Sequence, residues 1–133
     1  MSGIRGKDTK PEILLRKLLH RQGFRFRIHV RNLHGTPDLV LPRYRAVIFV
    51  HGCFWHGHEC RLFKWPQTRV EFWQDKIGRN RANDKHAVTA LMADCWRVCV
   101  VWECALRKNG EDIDALIVRL TDWLRGTESY FEQ

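Results

Sequence analysis

The sequence lacks any apolar run long enough to cross a membrane, and its opening Met1-Ser2-Gly3-Ile4-Arg5 has no apolar stretch of the kind that directs secretion. These absences point to a soluble protein of the cell interior. No Gly/Ser/Pro-rich linker, internal repeat or low-complexity tract divides the chain. At 133 residues it has room for one core, so the expected organisation is a single domain over 1–133, with a short arm at 1–8 and a loose tail at 127–133. Acidic residues are scarce, 15 against 23 Lys and Arg, and the net charge is +8. The basic residues run from end to end rather than forming one tail, which points to a folded surface for an anionic polymer, nucleic acid first. A solvated basic surface with no partner is the plainer alternative.

Hydrophobic residues make up 44% of the chain, which excludes a disordered protein. Five cysteines are present (Cys53, Cys60, Cys95, Cys99 and Cys104). An odd number in a reducing compartment argues for metal ligation and buried thiols rather than disulfides. Cys95 and Cys99 adjoin an apolar run and are expected in the core.

Taken in order, Thr9-Lys10-Pro11-Glu12 opens a helix as a capping box, Ile13, Leu14, Leu15, Leu18 and Leu19 supply its apolar face, and Gly23 ends it. Phe24–Val30 alternates apolar and polar residues, which predicts a strand. A turn at 32–37 leads to a short strand at Asp38–Leu41, and Pro42–Arg45 turns into a third strand at 46–50. These three are expected to form an antiparallel meander. After a loop from His51 to about Gln67, Thr68-Arg69-Val70-Glu71 predicts a second capping box and a helix to about Ala93, with room for a break at 78–85. Trp96–Trp102 predicts a central strand, and Ile113, Leu116, Ile117, Leu120, Trp123 and Leu124 a last amphipathic helix. The expected fold is α/β, a mixed sheet flanked by helices in the order α-β-β-β-α-β-α.

The chemistry concentrates in His51-Gly52-Cys53-Phe54-Trp55-His56-Gly57-His58-Glu59-Cys60. Cys53, His58 and Cys60 have the donor types that zinc prefers, and Cys104, just past the central strand, is the candidate fourth ligand. On spacing alone His56 could replace His58. Asp38, leading one strand near the end of another, could hold a hard divalent ion such as magnesium with a backbone carbonyl, although on spacing alone a Pro-Asp turn accounts for it better. Glu12 is explained by its capping box. Phe54 and Trp55, adjacent in a loop near Arg61, Lys64 and Arg69, either stack on bases or pack over the metal loop.

Four segments together resemble one family: Gly-Thr-Pro-Asp-Leu-Val at 35–40, Val-Ile-Phe-Val-His-Gly-Cys-Phe-Trp-His-Gly-His-Glu-Cys at 47–60, Arg-Val-Glu-Phe-Trp at 69–73 with Lys76-Ile77-Gly78 and Asn80, and Val-Trp-Glu-Cys-Ala-Leu at 101–106. They are similar to the very-short-patch-repair (Vsr) DNA mismatch endonucleases, over about residues 4–125. The resemblance implies a restriction-endonuclease-like PD-(D/E)xK core. It also implies an enzyme that nicks double-stranded DNA 5′ to the T of a T:G mismatch, the product of 5-methylcytosine deamination. It assigns Asp38 and the Val50 carbonyl to catalytic Mg²⁺, His56 to the general base, His51 and Glu12 to support, and Cys53, His58, Cys60 and Cys104 to structural Zn²⁺. Phe54 and Trp55 become the aromatic wedge beside the mismatch. It further implies a monomer of the bacterial cytoplasm, working with other mismatch-repair proteins.

The chain departs from the family pattern at Val50, where threonine is familiar, and at Gly57 and Glu59, where further histidines occur. The family's N-terminal arm, which reaches the other groove, is represented here only by its end. A restriction-type endonuclease with another target and a zinc-stapled DNA-binding module without catalysis are the competing readings.

Overall fold

The computed structural model describes residues 9–108 and 110–133. The arm expected at 1–8 lies outside them. The elements run α1 (Lys10–Arg21), β1 (Leu39–Leu41), a 3₁₀ turn (Pro42–Tyr44), β2 (Ala46–His51), α2 (Val70–Ala93), β3 (Arg97–Trp102), α3 (Glu103–Leu106), α4 (Gly110–Arg125) and β4 (Tyr130–Glu132). They form a mixed four-stranded sheet in the order β1-β2-β3-β4. β1 pairs antiparallel with β2, whereas β2–β3 and β3–β4 are parallel.

The sheet is buried on both faces, which is why β2 and β3 read as unbroken apolar runs. Leu15 and Leu19 of α1 and Leu116, Leu120 and Leu124 of α4 pack on one face with Leu39, Leu41, Ile48, Cys99 and Val101. Ala87 and Leu91 of α2 cover the other face with Val40, Val47, Phe49, Val98 and Val100.

Several sequence expectations change. Phe24–Val30 is not a strand: it meets the sheet through one bridge, Arg27 to Val40, and His29 at φ 58° breaks the extended run. Its alternation reflects Phe24 and Phe26 packing into the core beneath α1 and α4. The meander is therefore a single hairpin, β1–β2. The second capping box does not form, because Arg69 at φ 53° stands at the N-cap of α2 without a side-chain bond. α2 continues unbroken through 78–85. Cys95 is exposed in a turn at φ 66°, while Cys99 is buried as expected.

The tail is not loose. β4 lies beside β3, with the amide of Trp102 donating to the Gln133 carbonyl at 2.7 Å and indole Nε1 of Trp102 to Glu132 at 2.7 Å. Arg97 anchors the turn before it. Its guanidinium donates to the carbonyls of Tyr44 (3.3 Å), Leu124 (3.1 Å), Glu128 (3.0 Å) and Trp123, and lies 4.4 Å from the Trp123 ring centroid. Arg97→Ala removes the side-chain donor these carbonyls share and is expected to cost about 2–3 kcal/mol of stability. A lower urea midpoint at unchanged slope checks this.

Candidate functional site

The parallel register aligns His51 with Trp102, so the loop after β2 and the helix after β3 leave the sheet at the same edge. Open α/β sheets place ligands at the carboxyl ends of parallel strands. Cys53, His58 and Cys60 from the loop and Cys104 from α3 converge there, and their ligand atoms all lie within 4.8 Å of one another. Tetrahedral zinc would set its ligands about 3.8 Å apart, from metal–ligand bonds near 2.3 Å. Cys104 Sγ lies 3.6 Å from His58 Nδ1, within that range. The amide of Cys104 points at Cys53 Sγ at 3.4 Å, and Glu103 Oε1 accepts from the Cys53 amide at 3.3 Å.

The His58 ring stacks on Trp102 at 4.1 Å, which fixes its orientation. Burial pushes the Cys53 thiol up to about 12. Cys60 is held below the usual thiol value despite burial, by the amides of Leu62 and Phe63 and by its neighbouring thiols. Such amide donors favour a thiolate. Cys53 carries the opposite cost, which a bound cation would offset. The donor set fits zinc, and His58, not His56, is the histidine that joins the cysteines.

His56 turns the other way. Its ring stacks on His51 with centroids 4.0 Å apart and planes 5° from parallel. Its Nδ1 bonds Asp84 Oδ2 on α2, and Asp84 Oδ1 lies 3.9 Å from His51 Nε2. Asp84 was not foreseen from the sequence. It lies in the polar stretch 78–85, which looked like a break because its partners are loop atoms distant in sequence. The loop docks on this face of α2. Asn80 Nδ2 donates to the Trp55 carbonyl at 2.7 Å, and Arg81 donates to the carbonyls of His56 (3.4 Å) and Gly57. Gly57 makes the approach possible. It sits at φ 62°, and a Cβ there would meet Ile77 Cγ2 at 2.6 Å and Arg81 Nε at 2.7 Å. A side chain at 57 would require Ile77 and Arg81 to shift.

Asp38 precedes β1 and bridges to β2. Its amide donates to the Ile48 carbonyl at 3.0 Å, and its Oδ2 accepts from the Val50 amide at 2.6 Å. Its carboxyl is largely desolvated, although one edge opens on the cleft. Burial raises it, the Val50 amide draws it back and the charge of Glu12 raises it further, so that it stands at about 8. Glu12 keeps its capping contact, its amide donating to Thr9 Oγ1 at 3.4 Å, and accepts from Arg16 Nη2 at 3.1 Å. It is nonetheless buried and hydrogen-bonded to Asp38, so it serves more than the cap. Two carboxyl groups in bonding contact must share a proton or a cation, and the oxygen donors suit magnesium.

Asp38, Val50, His51, His56 and Asp84 line one cleft of about 240 Å³ between α2 and the β1–β2 hairpin. His51 is pushed down to about 4, first by burial and then by His56, so it is neutral at ordinary pH. Its buried Nδ1 has no partner among the described residues.

Phe54 and Trp55 are half-buried. They meet edge-on at 5.1 Å and both touch Trp73 of α2, at 5.3 and 5.5 Å. From the sequence Trp73 stands in the Arg-Val-Glu-Phe-Trp segment of the resemblance, with no role of its own.

A family model described as DNA mismatch endonuclease Vsr matches residues 1–62. The chain is 50% identical to the type II nicking enzyme V.XorIIP of Xanthomonas oryzae pv. oryzae, over 93% of this chain and 88% of the relative. It is 49% identical to DNA mismatch endonuclease Vsr of Escherichia coli K12, over 95% of this chain and 81% of the relative. It is 41% identical to the type II nicking enzyme V.NmeAIP of Neisseria meningitidis, over 92% and 89%. At that identity and coverage, with the cysteine–histidine cluster and the aspartate–histidine cleft in one loop system, the chain belongs to the Vsr family of DNA mismatch endonucleases.

Proposed function

We propose that the protein nicks one strand of double-stranded DNA on the 5′ side of the T in a T:G mismatch and so opens very-short-patch repair. The observation that carries this is the convergence of Asp38, Val50, His51 and His56 on one cleft, in a chain of the Vsr family. The basic surface, net +8, suits the phosphate backbone. We read the sheet and its helices as a restriction-endonuclease-like core that acts as one domain and as a monomer, in the bacterial cytoplasm with its DNA and the other mismatch-repair proteins.

Asp38 and the Val50 carbonyl would hold Mg²⁺, which when bound supplies charge neutralisation at the phosphate and a more acidic water. The residues of the chain do the rest. Asp84 bonds Nδ1 of His56 and so leaves Nε2 as the nitrogen that takes the proton of the attacking water. Neutral His51 stacks against His56 and steadies its ring beside the cleft. Glu12 shares a proton with Asp38 or orients water beside it. Cys53, His58, Cys60 and Cys104 would hold a structural Zn²⁺, which keeps Phe54, Trp55 and His56 beside the cleft. Phe54 and Trp55 enter next to the mismatch, braced by Trp73.

The test is incubation of the purified protein with Mg²⁺ and end-labelled T:G and matched duplexes. One nick 5′ to the T in the mismatched duplex supports the reading. Double-strand cutting of matched DNA, or binding without cleavage, overturns it. Asp84→Asn is expected to lower the nicking rate about 10–100-fold. Because Asp84 acts through His56, its loss should lower kcat while duplex affinity stays near wild type, a split that a merely structural role would not give.

A further inference from the structure

The aromatic surface extends well past Phe54 and Trp55. Phe54 meets Phe63 with centroids 5.9 Å apart, and Phe63 meets Trp65 edge-on at 5.0 Å. On the other side Trp73 meets Phe72 at 5.1 Å. Both ends open to solvent, Trp65 at 46% exposure and Phe72 at 41%. Neither belongs to either core cluster. The fold therefore leaves two large aromatic side chains facing water beside the proposed wedge, a placement that marks a contact surface. The charge between them is positive: the Arg69 guanidinium lies 4.2 Å from the Phe72 centroid, and Arg61 and Lys64 are exposed in the same loop.

We propose that Trp65, Arg69 and Phe72 form a second contact on duplex DNA, flanking the wedged base step. This rests on the reading that the protein binds DNA. Continuity with Phe54 and Trp55, through unbroken ring-to-ring contact, places the surface against the same duplex. Its positive charge suits a phosphate strand. Trp65 and Phe72 pack on deoxyribose and exposed base edges, and Arg69, steadied by the Phe72 ring, takes a phosphate. None of these contacts depends on the mispair. The surface therefore supplies grip on any duplex, and the wedge adds the discrimination.

The experiment measures the affinities of Trp65→Ala, Phe72→Ala and Arg69→Gln for a T:G duplex and its matched counterpart by fluorescence anisotropy. Each aromatic variant is expected to bind both duplexes about 5–50-fold more weakly, with the ratio between them unchanged. Arg69→Gln is expected to reduce the slope of log affinity against log salt by about 0.9. All three residues are on the surface, and circular dichroism and zinc content matching wild type establish that the variants fold. Affinities within twofold of wild type for all three, or an unchanged salt slope, would overturn the proposal and leave the surface to a protein partner. Trp55→Ala separates this from the underlying reading. If it lowers mismatch preference while the Trp65 and Phe72 variants bind normally, the DNA reading stands and the second contact falls. If wild type binds neither duplex, the DNA reading itself falls.

Discussion

Asp38→Asn is expected to reduce nicking of a T:G duplex by on the order of 10³-fold or more, with the fold intact. The argument starts from the surroundings of the carboxyl. It is largely desolvated at the edge of the cleft, accepts the Val50 amide at 2.6 Å and shares a hydrogen bond with Glu12. Held up to about 8, it carries a proton at neutral pH when no cation is present. Asparagine has nearly the shape of that protonated form. Its Oδ1 can accept from Val50 and its NH₂ can donate to Glu12, so folding stability should stay near wild type or rise. What asparagine cannot supply is an anionic oxygen for a divalent ion. Loss of activity in a protein that melts normally would then be assigned to the metal-binding carboxylate. Product formation under single-turnover conditions, with the melting temperature on the same preparation, checks both halves. Nicking within tenfold of wild type would remove Asp38 from the reaction.

How much of this was legible in the sequence depends on the range of the interactions. Thr9 and Glu12 cap α1 through contacts three residues apart, so the box could be read directly. β2 and β3 were legible because burial on both faces leaves an unbroken apolar run. Phe24–Val30 misled because two aromatics anchored in the core alternate like a strand, while the φ of 58° at His29 leaves no mark in composition. β4 was missed because Tyr130–Glu132 is three residues long and owes its conformation to β3. In the site, the cysteine cluster could be read because three of its members lie within eight residues. The choice between His56 and His58 could not. It is made by Asp84, twenty-eight residues from His56, and by Trp102, whose ring stacks on His58.

Cys60→Ala, or exhaustive chelation of the wild-type protein, is expected to lower bound zinc from about one equivalent to a small fraction, to lower the melting temperature by about 10 °C or more, and to abolish nicking. The loop from Gly52 to Gln67 contains no helix or strand among the described residues. Its positions are set by a few contacts: Asn80 and Arg81 on its carbonyls, Glu103 on the Cys53 amide, and the four-residue cluster. Without a cation the cluster becomes a liability, because Cys53 must stay a buried thiol beside two others. The loop then loses its tie to Cys104 and is left with its contacts on α2. His56 lies between two members of the cluster, so release of the loop carries it off Asp84 and off the His51 ring. Activity and zinc should therefore be lost together although none of the four cluster residues lines the Asp38 cleft. Cys99→Ala is the control. It removes another thiol, buried in the sheet and outside the cluster, so it should cost stability through packing while leaving zinc content at its full value. Full zinc occupancy in Cys60→Ala, or full nicking after the metal is gone, would separate the cluster from the reaction and leave the position of His56 to Asp84 and α2 alone.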